Sequence, residues 1–389
     1  MPQCTQLRPA SIAPTAVAPV AVVVVGPAPP MTGGMASVVT QTMGLRYDGR
    51  YRPELFRITV SANPSEALGR RAGRHLRRLR DLKRTIRRVD AGIVHIHTCS
   101  GFSFFRSGLD ARIARRSGCR VLLHIHGAYF DEFFRDLDVV RRRVASAILA
   151  GADAVIALSA GWRDKLERMS PSANVVVVEN AVDVPPFSPP RAHDGPVRFL
   201  LLARMDKIKG IDDLLDACAF LRRDGVEFDV VLAGPSGSAG DGPVLMGKIR
   251  ERRLDGCVRC VGEVHGEKKR ELFRWADVYV QPSHHEGMPI SMLEALAAGL
   301  PVVSTAVGSV PEVLADDESG MLVPAREPEK LAAAMASIAA DADRRAAASR
   351  SAHALALRRF PQQRLEADLV RVYDAVMNRS RLHRLRPRT

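Results

Sequence analysis

Residues 278–305 read VYVQ PSHHEGMP ISMLEALAAGLP VVST, and they hold the pattern that decides the fold. Two short apolar runs, Val278–Gln281 and Val302–Thr305, have the length and the β-branched content of buried strands. Between them lies a segment of helical length that begins near Ile290 and is stopped at Gly299. A strand, a loop, a helix and a second strand in this order predict a parallel βαβ unit.

The same rhythm of short apolar runs and longer helical segments extends through the chain and predicts parallel sheets covered by helices. In the first half the predicted strands are Val20–Val25, Phe56–Ser61, Ile93–Thr98, Val121–His126, Ala154–Ser159 and Val175–Glu179. In the second half they are Arg198–Ala203, Phe228–Ala233, Val258–Val261, Val278–Gln281, Val302–Thr305 and Met321–Val323. The prediction is an α/β protein with two Rossmann-like, doubly wound domains.

A proline-rich segment separates the two halves. Residues 182–196 contain five prolines and no periodic pattern, which is typical of an interdomain linker. The predicted segments are a disordered tail at 1–18, an N-terminal domain at 19–181, the linker at 182–196, a C-terminal domain at 197–360, a helix at 361–379 that can cross back to the first domain, and a basic tail at 380–389.

Composition narrows the functional classes. The formal net charge of +14 attracts anions such as nucleotides, lipid headgroups or nucleic acid. Six scattered cysteines do not form a disulfide framework, and we expect Cys257 and Cys260 to be small core residues of a strand rather than zinc or redox ligands. Every apolar run is too short for a membrane helix, so we expect a cytoplasmic protein.

Two carboxylates define the first candidate site. Glu286 lies in the loop at the carboxyl end of a predicted strand, and Glu294 lies in the helix that follows. Ligands bind at such loops in doubly wound sheets, and the N–H groups of Gly287 and Met288 at a helix N-terminus favour an anion. Taken singly, each carboxylate is better explained without a ligand, Glu286 as a loop charge and Glu294 as a solvated or capping helix residue.

A second loop carries cations. Arg204 and Lys209 follow the first strand of the second domain, where a guanidinium and an ammonium group can together hold a diphosphate. An ordinary basic loop is the alternative. Both loops come after strands of the same predicted sheet, which favours a shared site.

The spacing of Glu286 and Glu294 resembles the E-x7-E motif of retaining GT-B glycosyltransferases, above all those of family 4. The resemblance is dense from about Arg198 to Pro324 and sparser in the N-terminal half. It also covers further segments, namely Gly33-Gly34, His126-Gly127, Glu179–Asp183, Arg204 with Lys209, Val261–Val264, Gly299–Val303, Gly308 and Pro311-Glu312. It implies two Rossmann-like domains that face each other across a cleft.

The resemblance implies catalytic roles for four residues and a binding role for a fifth. Glu286 and His126 would contact the donor sugar from opposite domains. Arg204 and Lys209 would neutralise the diphosphate leaving group, and Glu294 would hold the donor ribose.

Five further positions would bind the donor through the backbone. The Gly287 and Met288 amides would assist at the sugar or the phosphates. Gly33 and Gly34 would let the N-terminal loop approach the phosphates, because glycine has no Cβ. Val264 would meet the base.

The implied reaction is the transfer of a hexosyl group, with retention, from a UDP- or GDP-sugar to a glycan or lipid-linked acceptor, in envelope or exopolysaccharide synthesis. No Asp-x-Asp motif is present, so we expect neither a metal nor another cofactor. Many members have Phe-Gly where this chain has Met288-Pro289, which leaves the donor sugar open. The acceptor is open as well: His124, Tyr129 and Phe130 are candidate pocket walls beside His126, and a core or loop position explains these three equally well.

Two other functions compete with transfer. One is a GT-B sugar-nucleotide epimerase, which the combined E-x7-E and Arg/Lys pattern disfavours. The other is a non-catalytic nucleotide-sugar binder, which the intact set of candidate residues disfavours.

One predicted helix is strongly basic. Arg70–Arg88 holds ten basic residues against one acidic residue, with apolar residues from Leu68 through Leu76 to Val89 at helical spacing. It is either a solvated helix, a contact to an anionic membrane or a nucleic-acid site. We favour the membrane, at the inner face of the cytoplasmic membrane, because many relatives use lipid-linked acceptors. The segment contains no aromatic residue of Phe, Tyr or Trp type, which disfavours nucleic acid.

Overall fold

The computed structural model describes residues 18–31, 33–58, 68–188, 193–237, 241–314 and 318–384. Almost all of the predicted N-terminal tail, part of the linker and the end of the predicted basic tail lie outside these residues. Within them the chain forms two parallel six-stranded sheets flanked by helices, which confirms the predicted α/β architecture.

The first sheet has the strand order β2-β1-β3-β4-β5-β6. Its strands are β1 (Val20–Gly26), β2 (Tyr51–Arg57), β3 (Ala91–Thr98), β4 (Arg120–Ile125), β5 (Ala154–Ala157) and β6 (Val175–Val177). Its helices are α1 (Gly34–Gly44), α2 (Leu68–Val89), α3 (Phe102–Arg116), α4 (Phe130–Arg135), α5 (Val139–Ala150) and α6 (Ala160–Met169). The apolar strand faces are buried between these helices.

The second sheet has the order β12-β11-β10-β7-β8-β9. Its strands are β7 (Val197–Leu202), β8 (Phe228–Ala233), β9 (Val258–Gly262), β10 (Val278–Gln281), β11 (Val302–Thr305) and β12 (Gly320–Val323). The helices from here on are α7 (Ile211–Arg223), α8 (Asp241–Glu251), α9 (Gly266–Trp275), α10 (Ile290–Ala297), α11 (Val310–Leu314), α12 (Pro328–Ala340), α13 (Ala342–Arg359) and α14 (Gln362–Arg384).

Strand order explains where a ligand binds in the second sheet. The chain moves outward from β7 through β8 to β9, and it then returns to the other side of β7 to form β10. The loops that follow β7 and β10 therefore diverge at a topological switch point, which is the binding crevice of doubly wound sheets. The candidate loops at Arg204–Lys209 and at Glu286 are these two loops.

The C-terminal helix α14 packs on the first domain. Leu365, Leu369 and Tyr373 are buried in one apolar cluster with Val22 of β1 and Leu122 of β4. The chain thus returns to the domain in which it began.

Three sequence interpretations are wrong. The second strand is not Phe56–Ser61 but begins at Tyr51 and ends at Arg57, and residue 61 lies outside the described residues. Cys260 is exposed rather than in the core, because β9 is an edge strand. Leu76 of the basic helix is 55% exposed, whereas Leu82, Ile86 and Val89 further along its stripe are buried.

Among the described residues, no helix is both long enough and apolar enough to cross a bilayer.

Candidate active site

A cavity of about 710 Å³ lies between the two domains. All ten residues that the sequence singled out line it. The first domain contributes Gly33, Gly34 and His126, and the second contributes Arg204, Lys209, Val264, Glu286, Gly287, Met288 and Glu294.

Lys209 and Glu286 form an ion pair at the switch point. The Lys209 Nζ atom lies 2.6 Å from Glu286 Oε1, and the Ser283 hydroxyl donates to the same oxygen at 2.7 Å. The Glu286 carboxylate is largely buried, and a buried carboxylate needs such partners to remain charged. The structure therefore brings together one predicted cation and one predicted acid.

Glu294 has a partner that the sequence did not indicate. Lys269 of α9 places its Nζ 2.6 Å from Glu294 Oε1, and it also lines the cavity. The E-x7-E spacing gives the two acids but says nothing about which cations face them. Each acid of the motif thus pairs with one lysine.

Arg204 lies at the rim of the cavity. Its Nε is 2.6 Å from Oδ2 of Asp206, and its side chain is 59% exposed. A long, exposed side chain can turn from this neighbouring carboxylate toward an anionic ligand.

The loop after β10 is fixed by contacts from three directions. Gly308 has φ +58°, and a Cβ there would lie 2.0 Å from the carbonyl oxygen of Glu286. The Ser309 amide donates to the Gly287 carbonyl at 3.0 Å, and the side-chain amide of Asn180 donates to the Met288 carbonyl at 2.8 Å. These contacts hold the Gly287–Met288 backbone in place against the cavity.

Two helix N-termini face the cavity from opposite domains. Helix α1 begins at Gly34, and helix α10 begins at Ile290; both residues line the cavity. Unpaired N–H groups and the helix dipole make such termini favourable for anions. A Cβ added at Gly33 or Gly34 would meet no described atom within 4 Å, so this side of the cavity is open to a ligand.

A stack of four histidine rings lies at the cavity, three of them buried and the fourth, His126, partly buried in the cavity wall. His95 and His97 come from β3, and His124 and His126 from β4 and its end. The His126 Nε2 atom is 2.9 Å from His97 Nδ1, while His95 bonds both His124, at 3.3 Å, and the Tyr373 hydroxyl, at 2.8 Å.

Burial keeps these rings neutral. It lowers the pKa of His95 and of His126 to about 3, and it lowers the pKa of His97 and of His124 well below the usual value. Ring nitrogens of His95, His97 and His124 lie within 4.8 Å of one another, as metal ligands would. Stacking and inter-ring hydrogen bonds hold the rings together, while Nε2 of His97 and Nε2 of His124 are buried with no partner among the described residues.

The predicted acceptor walls need correction. His124 and Phe130 are buried in the interior and do not line the cavity, because they face the sheet and its packed helices. Tyr129 is half-buried and stacks on His285 of the second domain, with ring centroids 4.2 Å apart. His285 also lies 3.6 Å from Glu132, a cross-domain contact that no sequence motif indicated.

Two α/β domains with a cavity between them, bordered by a charged loop at the topological switch point, are the architecture of the GT-B fold. Residues 33–185 match the model of glycosyltransferase family 4, and residues 187–354 match the model of glycosyl transferases group 1. The chain belongs to the group 1 glycosyltransferases of GT-B fold.

Curated relatives agree with this family. The glycogen synthase of Mycobacterium tuberculosis is 32% identical over 53% of this chain and 51% of its own length. The amylovoran biosynthesis glycosyltransferase AmsK of Erwinia amylovora is 28% identical over 51% of this chain and 52% of its own. The chain thus spans about half the length of these curated relatives.

The fold is also that of HepE from Anabaena, solved in complex with UDP. The TM-score is 0.71 at 16% identity, and the match covers 91% of this chain and 99% of HepE. At 16% identity, this similarity shows a shared fold and no more than that.

Proposed function

We propose that the protein transfers a hexosyl group, with retention at the anomeric carbon, from a UDP- or GDP-sugar to a glycan or lipid-linked acceptor. The proposed setting is envelope or exopolysaccharide synthesis, in line with the relative named for amylovoran biosynthesis. UDP is the first donor nucleotide to test, because HepE was solved with UDP.

A single arrangement carries the proposal. Lys209 and Glu286 meet at the switch point, and Glu294 lies one turn after the start of helix α10. A helix N-terminus from each domain borders the same cavity. Cations, carboxylates and backbone amides that line one cavity suit a ligand with a diphosphate between two hydroxyl-rich sugars.

Each residue has a proposed role. Lys209 and Arg204 stabilise the diphosphate, Glu286 and His126 bind hydroxyls of the transferred sugar, and Glu294 binds the ribose. Backbone groups of Gly33, Gly34, Gly287, Met288 and Val264 contact the phosphates, the sugar and the base.

The reaction breaks the bond between the anomeric carbon and the diphosphate oxygen and forms one to an acceptor hydroxyl on the same face of the sugar. The electron pair leaves with the diphosphate, and the hydroxyl proton is released. Fixed positive charge at the departing oxygens lowers the barrier, so the proposed chemistry proceeds without a metal.

A donor panel tests this function. We expect slow hydrolysis of one UDP- or GDP-sugar in the absence of acceptor, with release of the nucleoside diphosphate and a product sugar whose initial anomeric configuration is retained. Magnetic resonance of the first product reads the configuration. An isomerised donor would instead identify an epimerase, and binding without turnover would identify a non-catalytic binder.

We also propose that the first domain docks on an anionic bilayer. Six apolar side chains on α2, α3 and α5 are exposed, and we call them the apolar ridge: Leu76, Phe102, Leu109, Val139, Val140 and Val144. Phe102 is 76% exposed. The basic helix α2 flanks this ridge, and each basic residue near an anionic surface contributes about 1 kcal/mol.

Flotation with phosphatidylcholine and phosphatidylglycerol vesicles tests docking at physiological salt. Replacing Val139 and Val140 with serine should reduce the bound fraction. Val244→Ser is the matched control, because Val244 is 58% exposed on the other domain. Absence of wild-type flotation, or equal loss in both variants, would refute this surface.

A further inference from the structure

A second cluster of charges lies in the first domain, away from the paired lysines. Arg78 of α2 donates to a carboxylate oxygen of Asp110 on α3, and the Asp110 side chain is completely buried. Arg106, one turn earlier on α3, is electrostatically coupled to both of these residues, and His75 is coupled to all three. Two guanidinium groups therefore lie near one buried carboxylate, and Arg78 is the one that contacts it.

The cluster leaves hydrogen-bonding capacity unused. Four of its polar atoms are buried and have no hydrogen-bond partner among the described residues: Nε of Arg106, Nε and Nη1 of Arg78, and Oδ2 of Asp110. Burial, and then the neighbouring charge of Arg78, lowers the pKa of the Arg106 guanidinium. A partly buried excess of positive charge is costly unless an anion completes it.

Its position links the proposed transfer site to the proposed membrane surface. On one side Arg106 lies about one turn after Ser103 on α3, and the Ser103 hydroxyl lies 3.1 Å from the sulfur of Cys99, which lines the large cavity. On the other side the ring of His75 lies 6.0 Å from that of Phe102, the most exposed member of the apolar ridge. The cluster thus lies beside the cavity, toward the first-domain side.

We infer that Arg78 and Arg106, with His75, bind a phosphate group of the acceptor substrate. This inference rests on the proposed glycosyl transfer and names the chemistry of its second substrate. A phosphate offers several oxygens in the geometry that guanidinium groups bind bidentately. The phosphate belongs either to a soluble sugar phosphate or to a phosphate-bearing lipid held at the apolar ridge.

Calorimetric titration with inorganic phosphate at constant ionic strength tests the site. Arg106→Gln should weaken phosphate binding about tenfold, since a charge-assisted hydrogen bond is lost. Arg112→Gln removes the same charge from an exposed position on the same helix and should bind as wild type does. Lys209→Ala should retain the Arg106-dependent binding, because Lys209 lies in the donor half of the cavity.

Arg106→Lys distinguishes loss of charge from loss of folding. It keeps the positive charge and should therefore bind phosphate more tightly than Arg106→Gln. Thermal melting of each variant accompanies the titration. Equal phosphate binding by wild type and Arg106→Gln, or equal loss in Arg106→Gln and Arg112→Gln, would overturn the site.

Competition identifies the source of the phosphate. Displacement of bound phosphate by glucose 1-phosphate indicates a soluble acceptor, and displacement by phosphatidylcholine vesicles that contain phosphatidic acid indicates a lipid. Displacement by neither probe contradicts the inference. Donor hydrolysis by the wild-type protein is measured separately, so its absence would refute the proposed transfer while leaving the phosphate result to stand.

Discussion

The Nζ atom of Lys209 lies 2.6 Å from Oε1 of Glu286, although 77 residues separate the two in sequence. The pair joins the loop after β7 to the loop after β10, so the strand order of the sheet sets its position. Removing one member of such a pair leaves the other as an uncompensated, partly buried charge. The pair therefore affects both the shape and the charge of the cavity.

Lys209→Ala should nearly abolish donor hydrolysis. We expect a loss of about a hundredfold or more, because a fixed cation no longer faces the departing diphosphate. Glu286→Ala should have a similar effect through loss of sugar binding. Nucleotide release is the measurement, and Lys207→Ala is the control, since Lys207 is an exposed lysine of the same loop. Wild-type rates in either variant would refute the assignment.

His97→Phe should slow donor hydrolysis about fivefold, the equivalent of one hydrogen bond of about 1 kcal/mol. Phenylalanine keeps the ring stack but removes the bond from His97 Nδ1 to His126 Nε2, so the orientation of His126 is no longer fixed. His124→Phe is the comparison, because the ring of His124 is hydrogen-bonded to that of His95. Equal rates in the two variants would argue against a specific role for His97.

Stability should fall as the pH drops below about 6.5, the ordinary value for histidine. Burial lowers the folded-state pKa of His95 and of His126 to about 3, so between these values the unfolded chain binds protons that the folded chain does not. The contribution of these histidines to the free energy of unfolding is therefore fully present above about pH 6.5. It is lost progressively toward pH 3, by up to about 1.4 kcal/mol per histidine and pH unit.

Urea unfolding at a series of pH values measures this slope. His95→Phe should reduce the slope by roughly one proton. The exposed His265→Phe removes a histidine without touching the stack. A slope that is identical in wild type and His95→Phe would contradict the burial argument.

Much of the fold could be predicted because apolar runs and their breakers are local signals. The predicted bounds of β8, β10 and β11 agree with the structure. The edge strand β2 was misplaced because its sequence, YRPELFR, mixes charges and a proline with apolar residues. An edge strand tolerates proline and exposed polar groups, so it lacks the continuous apolar run of a central strand.

Only the site residues that lie in recognisable sequence motifs could be predicted. Glu286, Glu294 and Arg204 lie in segments with recognisable spacing, and the structure brings all of them to one cavity. Lys269 and His285 were missed because their partners are distant in sequence and are set by how helices and domains pack. Such contacts follow from the three-dimensional arrangement and leave no periodic or spacing signal.

Glu312 of the second domain should control how tightly the domains close. Its Oε1 accepts hydrogen bonds from the Ser159 hydroxyl at 2.7 Å and the Gly161 amide at 2.9 Å, and its Oε2 accepts one from the Ala160 amide at 3.0 Å. These groups form the N-terminus of α6 in the first domain, where a carboxylate is favourable.

Glu312→Gln keeps the shape of the side chain but replaces one carboxylate oxygen with an NH2 group. That group cannot accept the hydrogen bonds that the N-terminus of α6 donates. The domains should then separate more often, and the radius of gyration from solution scattering should increase. Because the proposed donor-binding residues come from both domains, KM for the donor should rise about tenfold, the loss expected for charge-assisted hydrogen bonds, with a smaller effect on kcat. Glu329→Gln, at an exposed position of the second domain, should change neither quantity. An unchanged KM in Glu312→Gln would mean that the remaining interdomain contacts, such as that of Asn180 with Met288, suffice to hold the cavity closed.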